Sequence, residues 1–123
     1  MNVIQLTDRT FEAAVAAHPL LLVGFWSGNC EGCRSTARAY ERVAARRPDA
    51  TFAQLDPGAY PDTAADFRLV TLPTVVVFRD ALLVYAQAGP LTATAFEAII
   101  DKVQAVDMVA VRQSIDRQHK AAV

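Results

Sequence analysis

The chain has 123 residues, 53% of them apolar, with 12 Lys and Arg against 13 Asp and Glu and a formal charge of −1. That balance excludes the excess of cations that draws a protein to nucleic acid or acidic membrane, and no apolar segment approaches the ~18 residues of a membrane span. At this length a single soluble domain buries roughly two thirds of its unfolded surface, so it needs no disulfide to hold its core.

Met1 to Leu6 has no basic start, apolar stretch and small-residue cleavage site, so export is not expected. The expected compartment is a reducing cytoplasm, where a Cys pair is more often redox-active or metal-binding than structural. Val3, Ile4 and Leu6 predict a short edge strand, after which Thr7 or Asp8 can accept hydrogen bonds from the first free amides of a helix. Phe11, Ala14 and Val15 share the inner face of that helix, with His18 at its end. Pro19 stops it, because its ring clashes with the preceding turn, and the apolar run from Leu20 to Trp26 follows as a buried central strand. Beyond the cysteines, Cys33, Ala37, Tyr40 and Ala44 recur at helical spacing and face the core, opposite Arg34, Arg38, Arg42 and Arg46. Arg47-Pro48-Asp49 ends this helix.

Thr51 to Leu55 reads as a third strand, Asp56-Pro57-Gly58 as a turn, and Pro61-Asp62 as the start of a short helix through Phe67. Thr74 to Phe78 and Ala81 to Ala88 form an antiparallel hairpin turned at Arg79-Asp80, and Gly89-Pro90 breaks it. Phe96, Ile99, Ile100, Val103 and Val106 give the next helix its buried stripe, capped by Thr92 or by Thr94 with Glu97. The order β-α-β-α-β-α-β-β-α implies an α/β fold, a central mixed sheet with helices on both faces, in one domain over residues 1–106. Residues 107–123 form a C-terminal extension. Its Met108, Val109, Val111 and Ile115 need cover, so it is either a frayed tail or a helix for self-association or a partner.

Both cysteines stand in Ser27-Gly28-Asn29-Cys30-Glu31-Gly32-Cys33-Arg34, between the apolar strand and the arginine-faced helix. Cys30 sits where free amides and the positive end of the helix dipole stabilise a thiolate, and Cys33, one turn in, is turned toward the interior. Cys30 then suits the nucleophile that attacks a substrate disulfide, and Cys33 the thiol that resolves the mixed disulfide by closing a Cys30–Cys33 bond. The plain alternative is two incidental core thiols. Structural zinc wants about four ligands. The only two histidines, His18 and His119, lie at a helix end and in the tail, so a metal is expected only if a site forms between chains.

Leu6-Thr7-Asp8 with Phe11, Phe25-Trp26 ahead of the Cys pair, Leu72-Pro73-Thr74 before an apolar strand, and Gly89 before a capped helix resemble the thioredoxin family. The resemblance runs from Val3 to about Val106. It implies a thioredoxin-like fold, a cis peptide at Pro73 lying against the dithiol, and a shallow groove for an extended substrate peptide. Asn29, Glu31, Gly32, Leu72, Pro73, Thr74 and Gly89 are the groove positions. It also implies a cytoplasmic thiol-disulfide oxidoreductase that reduces protein disulfides without a cofactor, with electrons from a thioredoxin reductase or a small thiol.

The departures carry expectations of their own. Typical thioredoxins have Trp-Cys-Gly-Pro-Cys, whereas Asn29-Cys30-Glu31-Gly32-Cys33 lacks the aromatic wall and the proline between the thiols. Gly24 stands where the family has a buried Asp behind the second Cys, Gln54 where a Lys is often near, and Arg38 where a proline kinks the helix. The missing Asp predicts a slow resolving step that Gly24→Asp would accelerate; the missing proline predicts a straighter helix. Glu31 opposes a Cys30 thiolate while Arg34 and Arg38 favour it. The same two arginines are candidate docking groups for an acidic partner, a solvated helix face being the default. Rival functions on this fold are a non-catalytic binding or chaperone-assisting module, and an oxidant or isomerase.

Overall fold

The structure, a computed structural model, describes residues 2–121, with side chains through Gln118. The His119 side chain and residues 122–123 of the expected extension lie outside the described residues.

The run at Leu20–Phe25 (β2) is buried at every position, because it is the middle strand of five and is covered on both faces. Around it stand β1 (Val3–Gln5), α1 (Phe11–Ala17), α2 (Cys33–Arg46), β3 (Thr51–Leu55), α3 (Pro61–Asp66), β4 (Thr74–Arg79), β5 (Leu82–Ala88), α4 (Ala93–Gln104) and α5 (Met108–Ala121). The sheet order is β1-β3-β2-β4-β5; the first three strands are parallel, and β4 and β5 run antiparallel to their neighbours. This is the mixed sheet of a thioredoxin-like α/β fold.

Alternation along β2 sorts the core into two layers. Leu20 and Leu22 point to the side of Tyr40, Val43, Phe96 and Ile100, where α2 and α4 pack, while Leu21, Val23 and Phe25 point to Leu6, Phe11 and Phe78. Tyr40 is the largest fully buried side chain, and its hydroxyl lies 2.9 Å from the Leu22 carbonyl and 2.8 Å from that of Ala53. It also accepts the Ala53 N–H at 3.3 Å, so the buried phenol is satisfied and pins α2 to β2 and β3. Burial pushes its pKa well above the ordinary value.

Several local expectations need correction. The N-cap of α1 is Thr10, without a side-chain cap bond; Thr7 instead closes the preceding turn, its hydroxyl accepting from the Arg9 and Thr10 amides at 3.2 Å each. Asp8 reaches across to α3, accepting from the Thr63 amide at 2.8 Å and hydroxyl at 2.7 Å, which lowers its carboxyl pKa. The hairpin turns at Asp80-Ala81 rather than Arg79-Asp80, both residues having positive φ (52° and 66°) in a two-residue loop. Arg79 is thereby free of the turn. Its guanidinium donates to the carbonyls of Val103, Gln104 and Val106 at 2.9, 3.0 and 3.2 Å, a cation at the carbonyl end of α4. Of the two caps expected for α4, Thr92 is the one used, accepting the Ala95 amide at 3.1 Å.

The extension forms a separate helix. Asp107 caps α5 by accepting the Val109 and Ala110 amides, Met108 is buried, and Arg112 pairs with Asp80 at 3.0 Å. Val109 and Ile115 remain exposed at 61% and 44%. Among the described residues no helix is long and apolar enough to cross a membrane.

Arg47 joins the ends of α2 and α4, holding Asp49 through two 3.0 Å bonds and Asp101 through one of 2.9 Å. The Arg47 bonds, helped by Gln104, lower the Asp49 pKa from its usual 3.8 to about 2. A depressed carboxyl stabilises the fold above the unfolded pKa and loses that contribution as pH falls through the folded one. Thermal midpoints of the wild type are therefore expected to fall between pH 4 and about 2 more steeply than those of Asp49→Asn. The difference is modest, because Asp49 is 40% exposed and solvent screens the pair.

Candidate active site

The loop after β2 brings the two sulfurs together. Cys30 and Cys33 are joined in a disulfide, with their Cα atoms 5.3 Å apart, inside the span such a bond requires. Their environments differ: Cys30 is half-buried on the turn, whereas Cys33 is the first residue of α2 and only 1% exposed. Cys30 lies one turn ahead of the helix, its carbonyl accepting the Cys33 amide at 3.2 Å.

No side chain caps α2 and its first turn contains no acidic residue, so the positive end of the helix dipole faces the pair without a competing carboxylate inside the helix. Glu31 and Arg34 are both exposed beside it, so solvent screens their opposed effects. Gly32, the N-cap, has φ of +80°, and a Cβ there would approach Pro90 Cγ to 2.7 Å. Two demands thus fall on one position: left-handed backbone and contact with the loop before α4. That loop is also tied by Leu91, whose amide donates to the buried Thr36 hydroxyl at 3.1 Å.

The Leu72-Pro73 peptide is cis. Thr74 pairs with Phe25 in the β2–β4 register, which puts Pro73 just past the paired end, where Trp26 leads the chain toward Cys30. The Thr74 hydroxyl donates to the Thr71 carbonyl at 2.6 Å, and the Gly89 amide, at a φ of +99°, donates to the Pro73 carbonyl at 2.8 Å. Pro73, Thr74 and Gly89 are therefore one bonded unit, and Leu72 and Cys30 both pack on the core layer that holds Cys33. Asn29 and Glu31 are exposed and make no side-chain hydrogen bond among the described residues.

The arginines do not form one strip. Four-residue steps advance about 40° around a helix. Arg34 and Arg38 accordingly border one cleft, Arg42 borders a depression with Pro90 and Leu91, and Arg46 pairs with Glu97 at 3.7 Å. Helix α2 runs unbroken from Cys33 to Arg46 through Arg38.

Gly24 has a role that the sequence comparison with typical thioredoxins did not reveal. A Cβ built there would lie far inside van der Waals contact with Cη2, Cζ3 and Cζ2 of the Trp26 six-membered ring, so the space behind the pair is filled by the indole. The ring stands edge-on to Tyr40 at 4.8 Å and donates its N–H to Gln54 Oε1 at 3.0 Å. Gly24 and Gln54 are register partners across β2 and β3, so the side chain of Trp26 folds back along its own strand face to reach that pair. The room that Gly24→Asp would require does not exist.

A disulfide of one half-buried and one buried sulfur at the head of α2, beside a cis-Pro on a mixed five-stranded sheet, agrees with what comparison with known proteins finds. The family model for Thioredoxin matches residues 2–102. The chain belongs to the thioredoxin family. "Putative thioredoxin 2" of Streptomyces coelicolor is 30% identical over 121 residues, covering 98% of this chain and 90% of that one. The "Bifunctional thioredoxin reductase/thioredoxin" of Mycobacterium leprae is 35% identical over 78 residues, 62% of this chain but 17% of that protein. Among solved structures, chloroplastic thioredoxin z superposes with a TM-score of 0.78 at 24% identity, covering 86% and 97% of the two chains, a likeness of fold. This thioredoxin-family chain is accordingly a protein-disulfide oxidoreductase whose Cys30 and Cys33 are CxxC-spaced.

Proposed function

We propose that this thioredoxin-family protein is a cytoplasmic reductant of protein disulfides, in which Cys30 attacks and Cys33 resolves. The observation that carries the reading is the unequal exposure of two sulfurs within one disulfide. Only Cys30 is open to a protein-sized substrate, and Cys33, 1% exposed, is in position to attack it from inside. A Cys30 thiolate attacks one sulfur of the substrate disulfide and releases the other as a thiolate; Cys33 then attacks Cys30 Sγ, releases the second substrate thiolate and re-forms the disulfide. The pair is returned to the dithiol by a thioredoxin reductase or by a small thiol. The Mycobacterium leprae relative, named for both reductase and thioredoxin, supports the first donor. The bonded Pro73, Thr74 and Gly89, together with Leu72, the half-buried Gly32 and the exposed Asn29 and Glu31, provide the edge against which an extended peptide lies.

Insulin reduction with either donor tests this, and precipitation of the reduced chains at a rate proportional to protein concentration is the expected result. A dithiol potential within the cytosolic range of about −320 to −220 mV is expected alongside it. A potential near about −180 to −120 mV would instead mark an isomerase or oxidant. A folded protein that does not turn over with either donor would be a binding module.

A further inference from the structure

Beside the pair, on the side of α2 away from Pro90, lies a cleft of about 490 Å³ between α2, the end of β2 and the end of β3. Arg34, Arg38, Glu41 and Asp56 stand on its rim, and Trp26, Gln54 and Cys33 on its inner wall. It is large enough for several waters, yet Cys33 is 1% exposed. Something keeps solvent from that sulfur. The residue placed to do so is Trp26, which shares a core layer with Cys33 and is itself 7% exposed.

The indole is held there by two features. Gly24 leaves the space for the ring, and Gln54 accepts its N–H at 3.0 Å. Edge contact with Tyr40 sets the ring's tilt, but the hydrogen bond to Gln54 is the one directional contact that fixes its rotation. We propose that Gln54 is a positioning residue for the redox pair: by bonding the Trp26 indole it keeps the ring over Gly24, in the core layer it shares with Cys33, and so limits how far that thiol opens to the cleft. The inference rests on the reading of Cys33 as the inner thiol of a redox pair. It adds that the access of solvent and small reagents to this thiol is set from β3, through a residue whose side chain is bonded to the indole.

The test uses the full-length chain in a Cys30→Ser background, where Cys33 is the single thiol, and needs no disulfide substrate, so it does not depend on whether the protein reduces insulin. Iodoacetamide is neutral and indifferent to the rim arginines. Its pH-independent rate constant, taken from the whole titration of the thiol, removes differences in thiolate fraction. Gln54→Met, nearly the same shape without the acceptor, is expected to raise that constant by up to about tenfold, the ratio that one buried neutral hydrogen bond sustains. Gln54→Glu retains an acceptor and is expected to stay within about twofold of the parent. The chain has a single tryptophan, so its fluorescence anisotropy reports the ring directly and should fall in the Met variant only. Should Gln54→Met not fold, Trp26→Phe removes the donor while keeping a ring and must raise the rate likewise. A folded Gln54→Met or Trp26→Phe with the parent's alkylation rate would overturn the proposal, as would equal acceleration in Gln54→Glu.

Discussion

Cys33→Ser is expected to turn the protein from a catalyst into a trap. With Cys30 left to attack and nothing inside to complete the exchange, a substrate disulfide should remain attached as a stable mixed disulfide, visible as a mass adduct on a non-reducing gel and released by dithiothreitol. Turnover should fall by at least about a thousandfold. The magnitude follows from effective concentration: a thiol already oriented on the same scaffold acts at an effective molarity of about 10⁵ M or more, against millimolar external thiol. The 5.3 Å between the two Cα atoms meets that orientation requirement without backbone movement. Cys30→Ser should behave differently. The remaining sulfur is 1% exposed under the first turn of α2, so neither adduct nor turnover is expected with a protein substrate. Adducts in Cys30→Ser and none in Cys33→Ser would reverse the assignment and remove the reason for reading unequal exposure as division of labour.

The order of strands and helices, the buried central strand and the place of the sulfur chemistry were legible because each is written locally: seven apolar residues in a row, two thiols at fixed spacing, a hairpin between β-branched runs. The cis peptide at Pro73 came only by resemblance, since proline permits that isomer without requiring it. What escaped were contacts between residues far apart in the chain. Asp8 with Thr63 and Thr36 with Leu91 each span 55 positions, and no local pattern marks them. Thr7 carried a reasonable capping signature, yet its hydroxyl closes a turn three residues ahead of the N-cap Thr10, and of the two caps open to α4 it is Thr92 that holds the bond. The wall behind the pair had a readable sign. Gly24 and Trp26 share one strand face, so a missing side chain stands next to the largest one available, and that is where a ring can fold back. Judged against the family's usual acid, the glycine looked like a lost group; judged against its own neighbour, it is occupied space.

Gly24→Asp is therefore expected to damage the fold before it can improve the chemistry. The new Cβ would clash with Cη2, Cζ3 and Cζ2 of the Trp26 ring, which cannot shift deeper because Tyr40 stands edge-on at 4.8 Å. The ring would have to leave, exposing a side chain that is now 7% exposed and breaking the bond to Gln54. In its place a carboxyl would enter a fully buried strand among Leu22, Val75 and Tyr40. Expelling a packed indole costs about 3–5 kcal/mol by comparison with large core truncations, and a buried carboxyl without a partner adds to that. Urea unfolding of the oxidised protein should show a loss on that scale, and Gly24→Ala should account for most of it, since the clash begins at Cβ rather than at the charge. Pairing Gly24→Asp with Trp26→Leu should recover part of the loss by vacating the space, a non-additivity of at least about 1 kcal/mol between residues in contact. If Gly24→Asp alone held its stability to within about 1 kcal/mol and speeded the resolving step, the indole would not be the occupant of that space in solution, and the family's acid would fit this chain after all.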